Sequence, residues 1–256
     1  VREAGRRGLY VVLDLHVWKG QREDYHRISR AEPGGEEDRA QAAAVWREVA
    51  RHFKGNGAIA GFDIINEPEG SPENLLHRAL YEAVRSQDRD RVVILESIDP
   101  ALLREPAWQN VVWSGHYPTS DQDTAGSVEE RVTRWARQSG LDGPGVDVPV
   151  FIGEMKAPAD SAEAARELVD AMDRRGWSWA VWTYRAVNAG GWAAFNYYDA
   201  LTFDLTQDSY ASLRAKWRQD LRQWQRANRS DTYHWNRWWV DGFRVPEPPD
   251  RRARRD

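Results

Sequence analysis

The amino-acid sequence predicts an α/β fold with a parallel β-sheet, and two features of the chain carry this prediction. Six short apolar runs alternate with amphipathic stretches of helical period, as expected when each strand is followed by a helix. Most of these runs are continuous rather than alternating in polarity, which is typical of parallel strands covered on both faces. At 256 residues, the chain is long enough to bury a sizeable core.

The predicted elements follow one another in a regular order. The strands lie in the runs "GLYVVLDLH", "IAGFDIINEP", "RVVILES", "NVVWSGHY", "VPVFIGE" and "WSWAVWTY", at 8–16, 59–68, 91–97, 110–117, 148–154 and 177–184. The helices occupy 36–54, 72–87, 100–107, 127–139, 159–175 and 207–227. Capping signals support two boundaries, since Ser71-Pro72-Glu73 is typical of a helix start and Gly176 of a helix end.

Residues with polar or aromatic side chains that can act in catalysis or binding end nearly every apolar run. A doubly wound sheet would place a Gly-rich phosphate loop after its first strand, and "DLHVWKGQ" is not such a loop. Functional groups that converge at the carboxyl ends of successive strands are instead typical of a (β/α)8 TIM barrel. The sequence therefore predicts this barrel. The strand-end residues are His16, Asn66, Glu67, Glu96, His116, Glu154, Trp182 and Tyr184.

The composition narrows the classes of function. The formal charge of -4 comes from 36 basic and 40 acidic residues spread along the chain, which argues against a nucleic-acid-binding surface. The absence of cysteine excludes disulfides, thiolate metal sites and a cysteine nucleophile. The histidines lack the His-Glu-x-x-His spacing, so we expect no metal and no cofactor. No stretch is long and apolar enough to predict a membrane span.

Glu67 and Glu154 form the most informative pair, because each directly ends an apolar run. Their strands are three apart in the alternation, so in a closed barrel the two carboxyl groups would face each other across the mouth. Cleavage of a glycosidic bond needs one carboxyl group that donates a proton and one that is ionised. The alternative is a pair of unrelated, ion-paired strand-end acids. Asn66, whose amide can bond a sugar hydroxyl, and Pro68, which fixes the backbone, favour catalysis.

Five strand-end motifs, "LDLH", "GFDIINEP", "HY", "IGEM" and "WTY", resemble in their order glycoside hydrolase family 5, the cellulase-like family of the retaining β-glycosidase clan. The resemblance covers about residues 1–220. It implies retaining hydrolysis of β-glycosidic bonds in a polysaccharide, with endoglucanase-like action on a β-glucan expected. It also implies that Glu67 is the general acid/base, Glu154 the nucleophile and Asn66 the residue that holds the sugar 2-hydroxyl.

The same resemblance implies further contacts with the substrate. His16 matches the family's third-strand histidine, which bonds sugar hydroxyls, and His116 matches its sixth-strand histidine. Trp182 matches the stacking tryptophan of the eighth strand. Trp18, just past a strand end, and Tyr184, at the end of the last run, are further candidates for sugar binding.

Two strand ends depart from the simplest interpretation. His116 and Tyr117 are adjacent, whereas the family spaces this pair by one residue so that both side chains face the site. Tyr117 is a substrate-binding candidate on the condition that the strand has already turned before Pro118. Glu96 ends its strand as the catalytic pair does, but a structural or supporting position is expected for it.

The beginning of the chain also departs from the family. The family has two strands before "LDLH", the second with an arginine that supports the nucleophile, and this sequence contains neither. We therefore expect residues 1–229 to form an N-terminally truncated barrel with strands 3 to 8 present and unpaired strands at both edges. Residues 230–256 are expected to form an aromatic extension and a charged, disordered tail.

Two alternatives stay open at this point. One is a catalytically impaired carbohydrate-binding remnant of the same fold, and the other is a barrel enzyme with different proton-transfer chemistry. The expected partner is an oligo- or polysaccharide, with no nucleic acid and no membrane, and the chain is expected to be a monomer. A polysaccharide substrate predicts a secreted or extracellular protein, whose signal peptide would precede the segment seen here.

Overall fold

The computed structural model describes residues 1–18, 27–29, 34–68, 74–104, 107–117, 125–142, 148–156, 161–187, 193–197 and 234–243. The chain divides into two compact units. Unit 1 comprises Val1–Tyr117, Thr133–Gly153 and Gly176–Trp179. Unit 2 comprises Pro118–Val132, Glu154–Arg175 and Ala180–Asp256.

Unit 1 contains one parallel sheet. Its six described strands are β1 (Val11–Asp14), β2 (Ile59–Asp63), β3 (Val92–Glu96), β4 (Val111–Gly115), β5 (Val150–Ile152) and β6 (Ser178–Trp179). They stand in the sheet in sequence order. A doubly wound sheet reverses its strand order at a switch point, and this sheet does not. The predicted fold is confirmed, since the described residues form an incomplete (β/α)8 barrel with six of the eight strands.

The register of the sheet brings the carboxyl ends of neighbouring strands level. Asp14 at the end of β1 pairs with Asp63 at the end of β2. Glu96 at the end of β3 pairs with Ser114, one residue before the end of β4. Side chains that follow these residues therefore emerge along one edge of the sheet, where the sequence predicts the site.

The helices have charged ends and apolar faces. They are α1 (Arg2–Arg6), α2 (Gly35–Phe53), α3 (Leu75–Arg85), a 3-10 helix (Pro100–Arg104), α4 (Val128–Gln138) and α5 (Ala162–Arg174). Acidic residues in the first turn of α2 and basic residues in its last turn complement the helix dipole. At the start of α5, the Ser161 hydroxyl accepts a hydrogen bond from the Ala164 amide (3.0 Å), which satisfies a donor that the helix leaves unpaired.

The core of unit 1 is held by large side chains with satisfied polar atoms. Trp46 of α2 packs on Phe62 of β2 with ring centroids 5.3 Å apart, and its indole N–H donates to the Ile64 carbonyl (2.9 Å). Within the described chain β1 pairs with β2 alone, and the adjoining Leu9 and Tyr10 are 58% and 77% exposed. This agrees with the unpaired apolar edge that the sequence predicts.

Unit 2 contains a smaller sheet and a packed helix pair. The strands are β7 (Arg185–Val187), β8 (Phe195–Tyr197) and β9 (His234–Trp235), with β7 parallel and β9 antiparallel to β8. Helix α6 (Arg237–Gly242) packs on α5 so closely that Gly242 leaves no room for a side chain against Ala165. Trp239 of α6 is fully buried.

The last predicted strand is shorter in the structure than in the sequence analysis. The run 177–184 was expected to form one strand, but β6 ends at Trp179, and β7 begins at Arg185 in the other sheet. An aromatic run indicates burial and not the strand with which its backbone pairs. The predicted helix 207–227 and the tail after 243 lie outside the described residues. No helix in the described part is long and apolar enough to cross a membrane.

Candidate active site

Glu67 stands just past β2, where the backbone changes direction. Ile64 and Ile65 are fully buried, whereas the Glu67 side chain is 63% exposed. The Asn66 amide donates a hydrogen bond to the Leu15 carbonyl (3.1 Å), which ties the end of this strand to that of β1. Glu67 has a φ of 41°, in the left-handed region that non-glycine residues rarely adopt outside turns and functional sites. The backbone thereby turns Glu67 out of the core.

Glu67 is the outermost of three side chains that contact one another in a row. Its Oε1 lies 2.8 Å from Nδ1 of His116, and Nε2 of the same ring lies 3.4 Å from Oε1 of Glu96. Side-chain exposure falls along the row from 63% at Glu67 to 14% at His116 and 1% at Glu96. The structure thus brings two predicted site residues together and adds Glu96 behind them.

His16 is held by a carboxyl group that the sequence analysis does not single out. Nδ1 of His16 lies 2.8 Å from Oδ2 of Asp14. Burial raises the pKa of Asp14, and the hydrogen bond from His16 and the charges of His16 and His116 oppose this rise. The motif "LDLH" contains a signal for this pair, because residues two apart on an extended strand lie on one face.

Three predicted substrate-binding residues of unit 1 are largely buried. Asn66, Tyr117 and Trp18 are 9%, 4% and 8% exposed. The Tyr117 ring packs edge-on against Trp135 of α4, with centroids 5.8 Å apart. Because β4 ends at Gly115, strand alternation does not set the direction of Tyr117, and its contact with a sugar stays a prediction. A buried indole offers little face to a sugar, so the position of Trp18 favours ordinary packing.

Glu154, Trp182 and Tyr184 belong to unit 2. The Glu154 side chain is partly exposed. The Trp182 amide donates to the Met155 carbonyl (3.0 Å), and the peptide bond between Trp182 and Thr183 is cis. Trp182 and Tyr184 are 37% and 57% exposed, so each ring presents a face of the kind that stacks on a sugar. The roles that the resemblance implies for these residues stay predictions.

A cavity of about 520 Å³ opens beside His116 within unit 1. Its volume falls in the range of small-molecule pockets. The indole rings of Trp113 and Trp135 form apolar walls, and Asp99 and Gln138 supply polar groups. This mixture suits a ligand that has both apolar faces and hydroxyl groups.

A comparison with known families decides the membership of this chain. The family model described as Cellulase (glycosyl hydrolase family 5) matches residues 1–188. This chain belongs to glycosyl hydrolase family 5. The family predicted from the strand-end motifs is confirmed.

Three relatives of this family 5 chain show how far the similarity extends. A β-xylosidase from Phanerodontia chrysosporium is 24% identical over 73% of this chain and 47% of its own length, so the chain spans about half of that curated relative. Thermotoga maritima Cel5A, solved in complex with cellobiose, has a TM-score of 0.56 at 22% identity over 82% of this chain and 72% of that one. Endo-glycoceramidase II from Rhodococcus sp., solved as a lactosyl-enzyme intermediate, has a TM-score of 0.54 at 16% identity over 74% and 58%. These two structures share the fold.

Proposed function

We propose that this family 5 chain carries the catalytic site of a retaining glycoside hydrolase that cleaves β-glucans. The observation that carries the proposal is the position of Glu67, which is 63% exposed at the end of a barrel strand and hydrogen-bonded to His116 at 2.8 Å. A carboxyl group in this position can reach a substrate oxygen, while the histidine behind it can hold or release a proton.

The proposed reaction proceeds in two displacements. In the first, a Glu154 oxygen attacks the anomeric carbon while Glu67 transfers its proton to the departing glycosidic oxygen. In the second, Glu67 removes a proton from water, the water oxygen attacks the anomeric carbon, and the bond to Glu154 breaks. Asn66 and His16 would hold sugar hydroxyls at the point of cleavage.

The choice of substrate draws support from the relatives. The Thermotoga structure contains cellobiose, and a lactosyl-enzyme intermediate such as that of the Rhodococcus protein is the kind of species that a retaining mechanism forms. The exposed rings of Trp182 and Tyr184 suit stacking on the flat faces of β-linked glucose units. A polymeric substrate would also favour a secreted, monomeric enzyme.

Aryl β-cellobiosides with good and poor leaving groups test the proposal. Glu154→Ala should abolish turnover of both. Glu67→Ala should slow a poor leaving group by about 100-fold or more and the 2,4-dinitrophenyl substrate much less, since only the former needs protonation. Glu82→Ala, at an exposed position of α3, is the control and should keep native rates.

The configuration of the first product supplies a second readout. Proton NMR should show the β-anomer before mutarotation, because two displacements retain configuration. An initial α-anomer would move Glu154 from nucleophile to base. Undiminished hydrolysis in both glutamate variants would overturn the assignment, and oligosaccharide binding by the native chain without any product would favour the non-catalytic alternative.

A further inference from the structure

Glu96 is a buried carboxyl group at the end of β3, and the proposed reaction assigns it no task. Its side chain is 1% exposed, and its Oε1 lies 3.4 Å from Nε2 of His116, whose Nδ1 lies 2.8 Å from Oε1 of Glu67. The imidazole is therefore placed between an interior carboxyl group and an exposed one. Each ring nitrogen of His116 therefore faces a carboxyl oxygen, so a change in the protonation of the ring affects a carboxyl group.

The backbone fixes this arrangement from both sides. His77 of α3 donates from Nε2 to the Glu96 carbonyl (2.7 Å), and the Ser97 amide donates to the Ser114 carbonyl (3.1 Å). Behind the imidazole lies Gly153, where an added Cβ would be 3.2 Å from Nε2 of His116. Glu96 ends β3 and His116 directly follows the neighbouring strand β4. Because the two strands are paired and the side chains are only 1% and 14% exposed, the fold holds Glu96 and His116 together.

The number of protons shared by Glu67, His116 and Glu96 follows from the chemistry of these side chains. An ionised carboxyl group only accepts hydrogen bonds, so the 2.8 Å contact between Nδ1 and Glu67 needs a proton between the two atoms. The 3.4 Å approach of Nε2 to Glu96 is an ion-pair distance, at which an ionised carboxyl group favours a proton on the ring nitrogen. A buried anion that loses its partner is far more costly than an exposed one, because water solvates only the latter. The proton on Nε2 is therefore retained by Glu96. The second proton, between Nδ1 of His116 and Glu67, is the one free to move.

We propose that Glu96 is a positioning residue that acts on Glu67 through His116, by holding a proton on Nε2 so that Nδ1 exchanges its proton with Glu67 alone. This inference rests on the proposed function of Glu67 as acid/base. In the first displacement, Glu67 gives the shared proton to the leaving oxygen, and the row retains the proton on Nε2. In the second, Glu67 takes a proton from water, which restores the original count.

Asp14 is a further carboxyl group that acts on this ring. Burial raises the pKa of Asp14, and the charge of His116 opposes this rise. The two groups therefore interact electrostatically. Asp14 contacts His16 at 2.8 Å, however, whereas the Nε2 atom of His116 lies 3.4 Å from Glu96 Oε1. A test of the proposal must therefore change Glu96 and leave Asp14 in place.

The direct test is ¹⁵N NMR of the full chain labelled at histidine, with the His116 signals assigned through His116→Gln. Glu96→Gln removes the charge and keeps the shape, and Glu96→Met also removes the acceptor. Glu96→Met should move the Nε2 signal toward that of an unprotonated ring nitrogen, and Glu96→Gln should move it less, because the amide oxygen still accepts a hydrogen bond. Glu82→Gln on the exposed face of α3 should leave the signal unchanged. An Nε2 signal in Glu96→Met equal to that of the native chain would overturn the proposal. If Glu96→Met does not fold, Glu96→Leu, which also lacks an acceptor, takes its place in the test.

A second readout separates positioning from a structural role. Glu96→Gln should slow an aryl cellobioside with a poor leaving group by about tenfold or more and the 2,4-dinitrophenyl substrate by less than about twofold, because only proton donation is impaired. Equal slowing of both substrates would indicate a structural role and overturn the inference. If the NMR signals shift but the native chain hydrolyses neither substrate, the proposed function fails, and the coupling of Glu96 to His116 stands.

Discussion

His77 lies on the buried face of α3 and is 2% exposed. Its Nε2 donates a hydrogen bond to the Glu96 carbonyl (2.7 Å), and its Nδ1 has no hydrogen-bond partner among the described residues. Burial lowers the pKa of His77 below its ordinary value of 6.5, and the hydrogen bond to Glu96 opposes this only in part. The folded chain therefore holds this imidazole neutral, because protonation would add an unpartnered N–H inside the core.

This difference between the folded and unfolded chain links stability to pH. As the pH falls through 6.5, the unfolded chain binds more protons at His77 than the folded chain does, so stability is lost toward acid. Between about pH 7.5 and about pH 5.5, the unfolded imidazole changes from about one-tenth to about nine-tenths protonated. His77 alone should therefore lower the free energy of unfolding by up to about 1.4 kcal/mol over this interval.

His77→Gln tests this prediction, since glutamine retains an N–H donor for the Glu96 carbonyl and does not titrate. Urea unfolding followed by tryptophan fluorescence gives the free energy of unfolding at both pH values. The variant loses packing at either pH, but the advantage of the native chain over it should shrink by up to about 1.4 kcal/mol at the lower pH. His52→Gln, at an exposed position of α2, controls for the exchange itself. An advantage that is constant or grows toward acid would refute the reasoning.

Two further predictions concern a glycine behind the site and an ion pair in unit 2. Gly153→Ala should reduce hydrolysis by about tenfold or more, because a Cβ 3.2 Å from Nε2 of His116 forces the ring to move. Gly57→Ala is the control, since Gly57 has open space around it. Equal rates for the two variants would contradict the prediction. Glu129→Gln removes hydrogen bonds to the two arginines at the end of α5, which lower the pKa of Glu129. Because the Glu129 side chain is 45% exposed, the variant should lose less than about 1 kcal/mol of unfolding free energy at neutral pH. This loss should disappear below the lowered pKa of Glu129, where the native carboxyl group is protonated. A loss that grows toward acid would contradict the prediction.

The strands and their ends could be predicted because their signals are local. A continuous apolar run followed by a polar residue marks the end of a strand, and at Glu67, just past β2, it also marks the point at which the chain leaves the core. The same signal at Glu96 marks the end of β3, but the Glu96 side chain is still buried. The ordered strand-end motifs were also sufficient for the family, as the match over residues 1–188 confirms. The run 177–184 shows the limit of such signals, since only Ser178–Trp179 joins the six-stranded sheet.

The sequence by itself determined the alternation of strands and helices, the family and the candidate acid/base, because each depends on residues close together in the chain. Only the tertiary structure decided that His116 bridges Glu67 and Glu96, that Asp14 holds His16, and that Trp18 is buried. His116 lies 49 positions from Glu67, and the two meet because β2, β3 and β4 are neighbours in a common register. Contacts of this kind depend on which strands pair and how far each is shifted, and neither is written in the local pattern of polarity.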